Sequence, residues 1–217
     1  MGLDVAEGLL ALHRLGVVHG DIKPDNVLMF EYPKRWTAKI ADFSHSILDT
    51  GETRHLVGGT QAYAAPEWKE KLATGTLLKT DVYSYGLLFG SIMAGFDIIQ
   101  HFLGLKKHGR TPAERLFNLE HKKKSGSIRT FVTELIYEAD DADLISRRDE
   151  MEAAESLINN ALDINPEKRD LRQFLLWGRP EPLNISHGPT NEGGFQKYAN
   201  PTTTIIQTLD ADIVNSL

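Results

Sequence analysis

Apolar residues set the first prediction. Leu3, Ala6 and Leu10, together with His13, recur three or four positions apart and predict an amphipathic helix over residues 2–15, ended by Gly16. Val17-Val18 leads into a polar loop, His19–Asn26, in which Pro24 discourages regular structure. Two short apolar runs, Val27-Leu28-Met29-Phe30 and Ala38-Lys39-Ile40-Ala41, predict strands joined through the turn-like Glu31–Trp36. Residues 44–67 hold Gly51, Gly58, Gly59 and Pro66 and predict one long irregular segment. Segments of that kind are usually functional or disordered.

The helical period returns at Asp81. Val82, Tyr85, Leu88, Phe89, Ile92 and Met93 describe a helix apolar almost all round, hence deeply buried, with Asp81 placed at its start as a cap. Helices are also predicted over 97–108 and 112–121. Asp149–Leu162 is a further one, with Met151, Ala154, Leu157, Ile158 and Leu162 on one face. Asn165-Pro166 stops it, and Pro166–Leu176 predicts a last short helix. The run Lys122-Lys123-Lys124 is expected in a solvated loop. After Trp177 periodicity ends, and 179–217 is expected to be a tail with little regular structure. The expected fold is mainly α, with one short β-hairpin, in a domain spanning 1–178.

Composition narrows the chemistry. The chain has 217 residues, 41% of them hydrophobic, enough for one domain with a sizeable core. Its net charge of -6 argues against a nucleic-acid surface, which needs clustered Lys and Arg. There is no cysteine, so disulfides, thiolate zinc sites and cysteine nucleophiles are excluded. No apolar run approaches the ~20 residues a membrane span needs, and Asp4 and Glu7 interrupt the N-terminal apolar stretch. A cytoplasmic or nuclear location, without a membrane partner, is the expectation.

The candidate chemistry lies in His19-Gly20-Asp21-Ile22-Lys23-Pro24-Asp25-Asn26 and in Asp42-Phe43-Ser44. Asp21 can accept a proton from an attacking hydroxyl, and Lys23 can neutralise charge on a transferring phosphoryl group. Asn26 and Asp42 offer hard oxygen ligands suited to Mg²⁺. Two strands between them would return Asp42 to the side of Asn26, forming a clamp for the metal at the mouth of a hairpin.

This combination resembles the catalytic and magnesium loops of protein kinases. The resemblance continues through Gly59-Thr60-Gln61-Ala62-Tyr63-Ala64-Ala65-Pro66-Glu67, similar to the family's G-T-x-x-Y-x-A-P-E segment. It continues again through Asp81-Val82-Tyr83-Ser84-Tyr85-Gly86 and Asn165-Pro166-Glu167-Lys168-Arg169. These motifs, in the family's order, cover roughly residues 1–178. The resemblance implies the helical C-terminal lobe of a kinase fold, with ATP and Mg²⁺ as cofactors and a protein substrate. Asp21 would be the catalytic base and Lys23 would contact the γ-phosphate. Asn26 and Asp42 would bind Mg²⁺, and Leu28 would lie under the adenine ring. Thr60 and Tyr63 would belong to the acceptor segment. His19 and Phe43 would be structural, Glu67 and Arg169 would form a buried ion pair, and Asp81 would accept N–H bonds from the His19–Gly20 turn. Lys23, two positions after the base, and Thr60 before Tyr63 resemble the serine/threonine branch.

The chain also departs from the pattern. Gly20 stands where many members carry an arginine that pairs with a phosphate on the activation segment. Ser44 replaces the glycine of Asp-Phe-Gly and narrows the backbone choices there. No G-x-G-x-x-G occurs, and His19 comes only 18 residues after the start. Half of the nucleotide pocket is therefore expected to be missing. The isolated chain is expected to be inactive, with an apolar lobe interface open to association. Two other functions compete: a non-enzymatic kinase-like docking module, and a small-molecule phosphotransferase of the aminoglycoside or choline kinase kind, which shares the H-G-D-x-x-x-x-N loop.

Overall fold

The computed structural model describes residues 2–33, 35–73, 75–139 and 148–177. The predicted tail lies outside them. The described part is mainly α-helical, with a small antiparallel hairpin and a second short strand pair.

Helix α1, Gly2–Arg14, is followed by β1, Val17–Val18. A 3-10 turn at Pro24–Asn26 leads into β2, Val27–Tyr32, which pairs with β3, Arg35–Ile40, in the register Val27 to Ile40 through Tyr32 to Arg35. α1 buries Val5, Ala6, Leu9 and Leu12, while Leu3, Leu10 and His13 stay half-buried, so only Ala6 of the predicted face is fully inside. The helix is packed by β1, β3, α2 and α7 together, and these neighbours set the buried face.

The long segment predicted as irregular contains β4, Ile47–Leu48, which pairs with β1. A single bridge, Arg54 to Leu72, pins it further on. Val18, Leu72 and Leu77 form a small core beneath it, with Ile47, Leu56 and Leu78 packed against them. Two-residue strands carry too little periodicity to be visible in sequence.

Helix α2, Thr76–Ala94, is the axis of the molecule. Every residue from Thr80 to Ser91 is buried, and α1, α3, α5 and α6 pack around it. It starts five residues earlier than predicted, with Gly75 at its N-cap, so Asp81 lies within the helix and does not cap it. α3, Ile98–Gly104, is capped by Asp97, whose carboxylate accepts from Ile99 N and Gln100 N. A 3-10 turn, Lys106–His108, replaces the end of the predicted 97–108 helix.

α4, Pro112–Ser125, begins with a capping box, Thr111 with Glu114. It runs through the lysine triplet that was expected in a loop. α5, Ile128–Ala139, has no counterpart in the sequence reading. α6, Arg148–Ala161, buries Met151, Ala154, Leu157 and Ile158 as its period requires, with Leu162 just beyond. The last predicted helix is split into a 3-10 turn at Pro166–Lys168 and α7, Arg172–Trp177, because Arg169 between them is drawn into the core. Phe174 of α7 stacks edge-on against Tyr85 and Phe89 of α2, at 4.7 and 5.0 Å. Among the described residues no single helix is long and apolar enough to cross a membrane.

Candidate active site

The loop between β1 and β2 brings Asp21, Lys23 and Asn26 together and is itself held from behind. His19 N and Gly20 N donate to the two oxygens of Asp81, at 2.7 and 2.9 Å. His13 Nε2 lies 3.0 Å from the same carboxylate. His19 Nδ1 accepts from Asp21 N at 3.3 Å, which leaves Nε2 to donate to Ala41 O at 3.1 Å. The ring meets Phe43 edge-on at 5.2 Å. His19 thus ties the Asp21 loop to the Asp42 loop through both ring nitrogens and one face.

Asp21, 5% exposed, is the most contacted carboxylate of the site. Its Oδ2 lies 2.9 Å from Lys23 Nζ and accepts from Asn26 Nδ2 at 3.1 Å. Its Oδ1 accepts from Thr60 N at 2.7 Å. Burial pushes the Asp21 carboxyl up, but Lys23 and the Thr60 bonds outweigh it and hold the group below the ordinary carboxylate value. Lys23 Nζ also donates to Thr60 Oγ1 at 2.7 Å, so one cation joins Asp21 to Thr60.

At the mouth of the hairpin Val27 faces Ile40, and Ala41 N donates to Asn26 O at 2.9 Å. This places Asn26 and Asp42 beside each other at the open end of the ladder, one flanking each strand. Asn26 commits Nδ2 to Asp21, which turns its Oδ1 away from that carboxylate. Asp42 is exposed and adopts a left-handed backbone, φ 63°. Its Oδ1 accepts from Ser44 Oγ at 2.6 Å and Ser44 N at 3.2 Å. The Ser44 hydroxyl holds the Asp42 carboxyl below its ordinary value. Oδ2 is the oxygen left to a ligand. One amide oxygen and one ionised carboxylate oxygen fit a hard cation such as Mg²⁺, which takes few protein ligands and completes its shell with phosphate and water. Among the described residues no group of three or more His, Asp or Glu side chains converges on a metal position.

The segment from Thr60 to Glu67 is fastened along its length. Tyr63 is buried and donates its hydroxyl to Asp97. Burial first, then this bond, raises the phenol above its ordinary value and keeps it protonated. Glu67 meets Arg169 in a two-point ion pair, 2.5 and 3.1 Å. Arg169 is completely buried and also donates to Asp163 O and Lys79 O, with its guanidinium 4.8 Å from the Tyr83 ring. Leu28, in contrast, lies 48% exposed on β2, beside exposed Met29, Phe30 and Tyr32.

Gly20, with φ 79°, is not a vacancy left by an arginine. A Cβ there would come within 2.7 Å of His45 O. A Cβ at Gly58 would meet the His45 ring at 2.4 Å, and Ser46 Oγ donates to His19 O at 3.0 Å. The space next to the base is taken by His45 itself.

Three supporting residues escaped the sequence reading. His13 was counted as part of an apolar face, although its ring nitrogen serves Asp81. Asp97 was read only as the start of a helix; Asp before an apolar run marks a cap, but nothing local announces its bond to Tyr63. Lys123 was assigned to a solvated triplet. It is fully buried, paired with Glu120, and its Nζ donates to Gln61 O and Ala64 O, both at 2.8 Å. Burial pushes its amine below the ordinary value, against the opposing pull of Glu120.

Comparison with known proteins agrees with this geometry. The family model "Protein kinase domain" matches residues 1–173. Among similar proteins are a G-type lectin S-receptor-like serine/threonine-protein kinase of Arabidopsis thaliana, 38% identical over 101 residues, and one of Oryza sativa subsp. indica, 40% identical over 94 residues. The matched stretches cover 44% and 41% of this chain, but only 12% and 11% of those kinases. With the match over residues 1–173 and the arrangement of its loops around Asp21, the chain belongs to the eukaryotic-type protein kinase family.

Proposed function

We propose that this chain supplies the base, its cation, the metal ligands and the acceptor segment for ATP-dependent phosphoryl transfer to serine or threonine in a protein substrate. The observation that carries this is the Asp21 carboxylate, held by Lys23, Asn26 and Thr60 at 2.7–3.1 Å. Asp21 would orient the acceptor hydroxyl and take up its proton as that oxygen forms a bond to the γ-phosphorus and ADP leaves. Mg²⁺, held by Asn26 and Asp42, supplies neutralisation of the phosphate oxygens when bound. Lys23 would balance the charge moving onto the transferring group, and its bond to Thr60 would keep the acceptor segment in register with the base. The pairing of Lys23 with Thr60, and the serine/threonine kinase names of the relatives, favour Ser/Thr over Tyr.

The exposed apolar side chains of the hairpin, Leu28, Phe30 and Tyr32 on one face and Met29 and Trp36 on the other, favour a second reading beside it, association with another protein surface through the hairpin.

The test has two arms. Mn²⁺–ATP is titrated into the chain and into Asn26→Ala and Asp42→Ala, with paramagnetic broadening as the readout. Transfer from γ-labelled ATP to a mixed Ser/Thr peptide is assayed with Asp21→Asn beside it. Metal–nucleotide binding that weakens in both ligand variants is expected. Binding unaffected by either substitution, or transfer that survives Asp21→Asn, overturns the proposal and leaves the docking role.

A further inference from the structure

We propose that Lys123 is a positioning residue for the acceptor side of this site. Its side chain fixes the Gln61 and Ala64 carbonyls, and through them the turn that presents Thr60 to Asp21.

An ammonium group has three protons to donate. Here two of them go to Gln61 O and Ala64 O, and the Glu120 carboxylate lies beside the nitrogen as its counter-charge. One nitrogen reaches both carbonyls, so two peptide planes three residues apart must converge on a single point. Because each peptide unit is planar, fixing its C=O direction also fixes the opposite direction of its N–H. The turn has its own weak closure, with Tyr63 N and Ala64 N both donating to Thr60 O at 2.9 and 3.1 Å. Lys123 therefore does not create the turn. It sets the rotation of the turn as a body, from the side of α4.

The remaining fastenings lie elsewhere. Lys23 and Asp21 hold Thr60 at one end, Tyr63 is bonded to Asp97, and Glu67 with Arg169 closes the far end. None of these engages the Gln61 or Ala64 carbonyl. Without Lys123, Ala64 O loses the donor it has here and Gln61 O keeps only the long 3.3 Å bond that Ala64 N shares with Thr60 O, and a loop in that state shifts to find water.

A lysine buried only to stabilise a fold would be a poor choice, because desolvating the ammonium offsets most of what its contacts contribute. A cation kept there despite that cost points to orientation. The two neighbouring lysines sharpen the contrast: Lys124 is exposed and Lys122 half-buried, while Lys123 alone is sealed from solvent.

The inference rests on the phosphoryl-transfer reading only for its kinetic consequence; the orientation of the turn is read independently. Amide hydrogen exchange is followed in the wild-type chain, Lys123→Met and Lys123→Arg, beside urea unfolding. Met removes every donor, and Arg keeps the charge but replaces a compact tetrahedral donor with a planar fork. Exchange of residues 60–66 is expected to accelerate about tenfold or more in Lys123→Met and by less in Lys123→Arg, with α2 amides unchanged. Where the wild-type chain transfers phosphate to a Ser/Thr peptide, KM for that peptide is expected to rise while kcat changes little. Exchange over 60–66 that stays at the wild-type rate overturns the proposal. So does acceleration shared equally by α2, or failure of both variants to fold, since either makes Lys123 a part of the global core. A wild-type chain without transfer leaves the exchange result decisive for Lys123.

Discussion

Arg169 and Glu67, 102 residues apart in sequence, meet in a two-point ion pair whose arginine has no solvent exposure at all. The pair fixes the end of the acceptor segment to the turn before α7. Removing one partner strands a charge in the core, so Arg169→Met or Glu67→Gln is expected to cost about 3–5 kcal/mol. Urea unfolding measures it. A change under about 1 kcal/mol would show that water reaches the partner left behind.

Asp81 is expected to matter as much, for a different reason. It is the acceptor for His19 N and Gly20 N, and its loss leaves two backbone donors unpaired in a buried place. At about 1–3 kcal/mol for each orphaned donor, Asp81→Ala should lose around 3 kcal/mol of stability. His13→Ala, which removes one contact to the same carboxylate, should lose less. Calorimetric melting of the two variants orders them; equal losses would refute the ranking.

Placing at position 20 the arginine that the family resemblance leads one to expect should harm this chain. Gly20→Arg forces a side chain onto a left-handed backbone and brings its Cβ within 2.7 Å of His45 O. The combined strain and overpacking should cost about 2–4 kcal/mol. A Gly20→Arg chain with an unchanged urea midpoint would mean that the His45 backbone moves aside freely.

Acid should weaken the fold through Asp21 and Asp170. In Asp21 burial acts upward but the Lys23 and Thr60 bonds prevail; in Asp170 the Arg172 bond is the leading influence, and both carboxyls lie below the ordinary value. A carboxyl depressed in the folded state contributes stability above its unfolded value, and that contribution disappears as pH falls through the folded value. The urea midpoint should therefore hold steady between about pH 7 and 5 as far as these groups are concerned, and drop below about pH 4. Asp21→Asn should flatten part of that acid limb. An identical acid limb in the variant would contradict the assignment.

The polar residues that cluster around Asp21 were more legible in the sequence than the architecture around them. His19 to Asn26, Asp42, Thr60 to Glu67, Asp81 and Arg169 are dense, oddly spaced polar residues, and such residues have few reasons to occur together other than shared geometry. Helices α2 and α6 were legible because their apolar period is long and strong. The position of Asp81 within α2 was not, because the helix starts from Gly75, which offers no capping side chain to mark the start. α5 was missed for want of caps, although Phe131, Val132, Leu135 and Ile136 have the right spacing. Lys123 could not have been found: its burial is decided by carbonyls 59 and 62 residues earlier in the chain. Charge in a lysine triplet looks solvated until a partner from another element arrives.

The suspension of the His19–Gly20 turn from Asp81 has a thermal consequence. Asp81 belongs to the helix on which four others pack, so the loop carrying Asp21 has no melting of its own: it opens when the centre of the molecule opens. The loop around Asp42 is exposed and shares that support only at second hand, through the His19 ring and Ser46, while Ser44 braces the Asp42 carboxylate itself. On heating, Asp42 should lose its order first, while Asp21 and Asn26 keep their places until the helical core gives way.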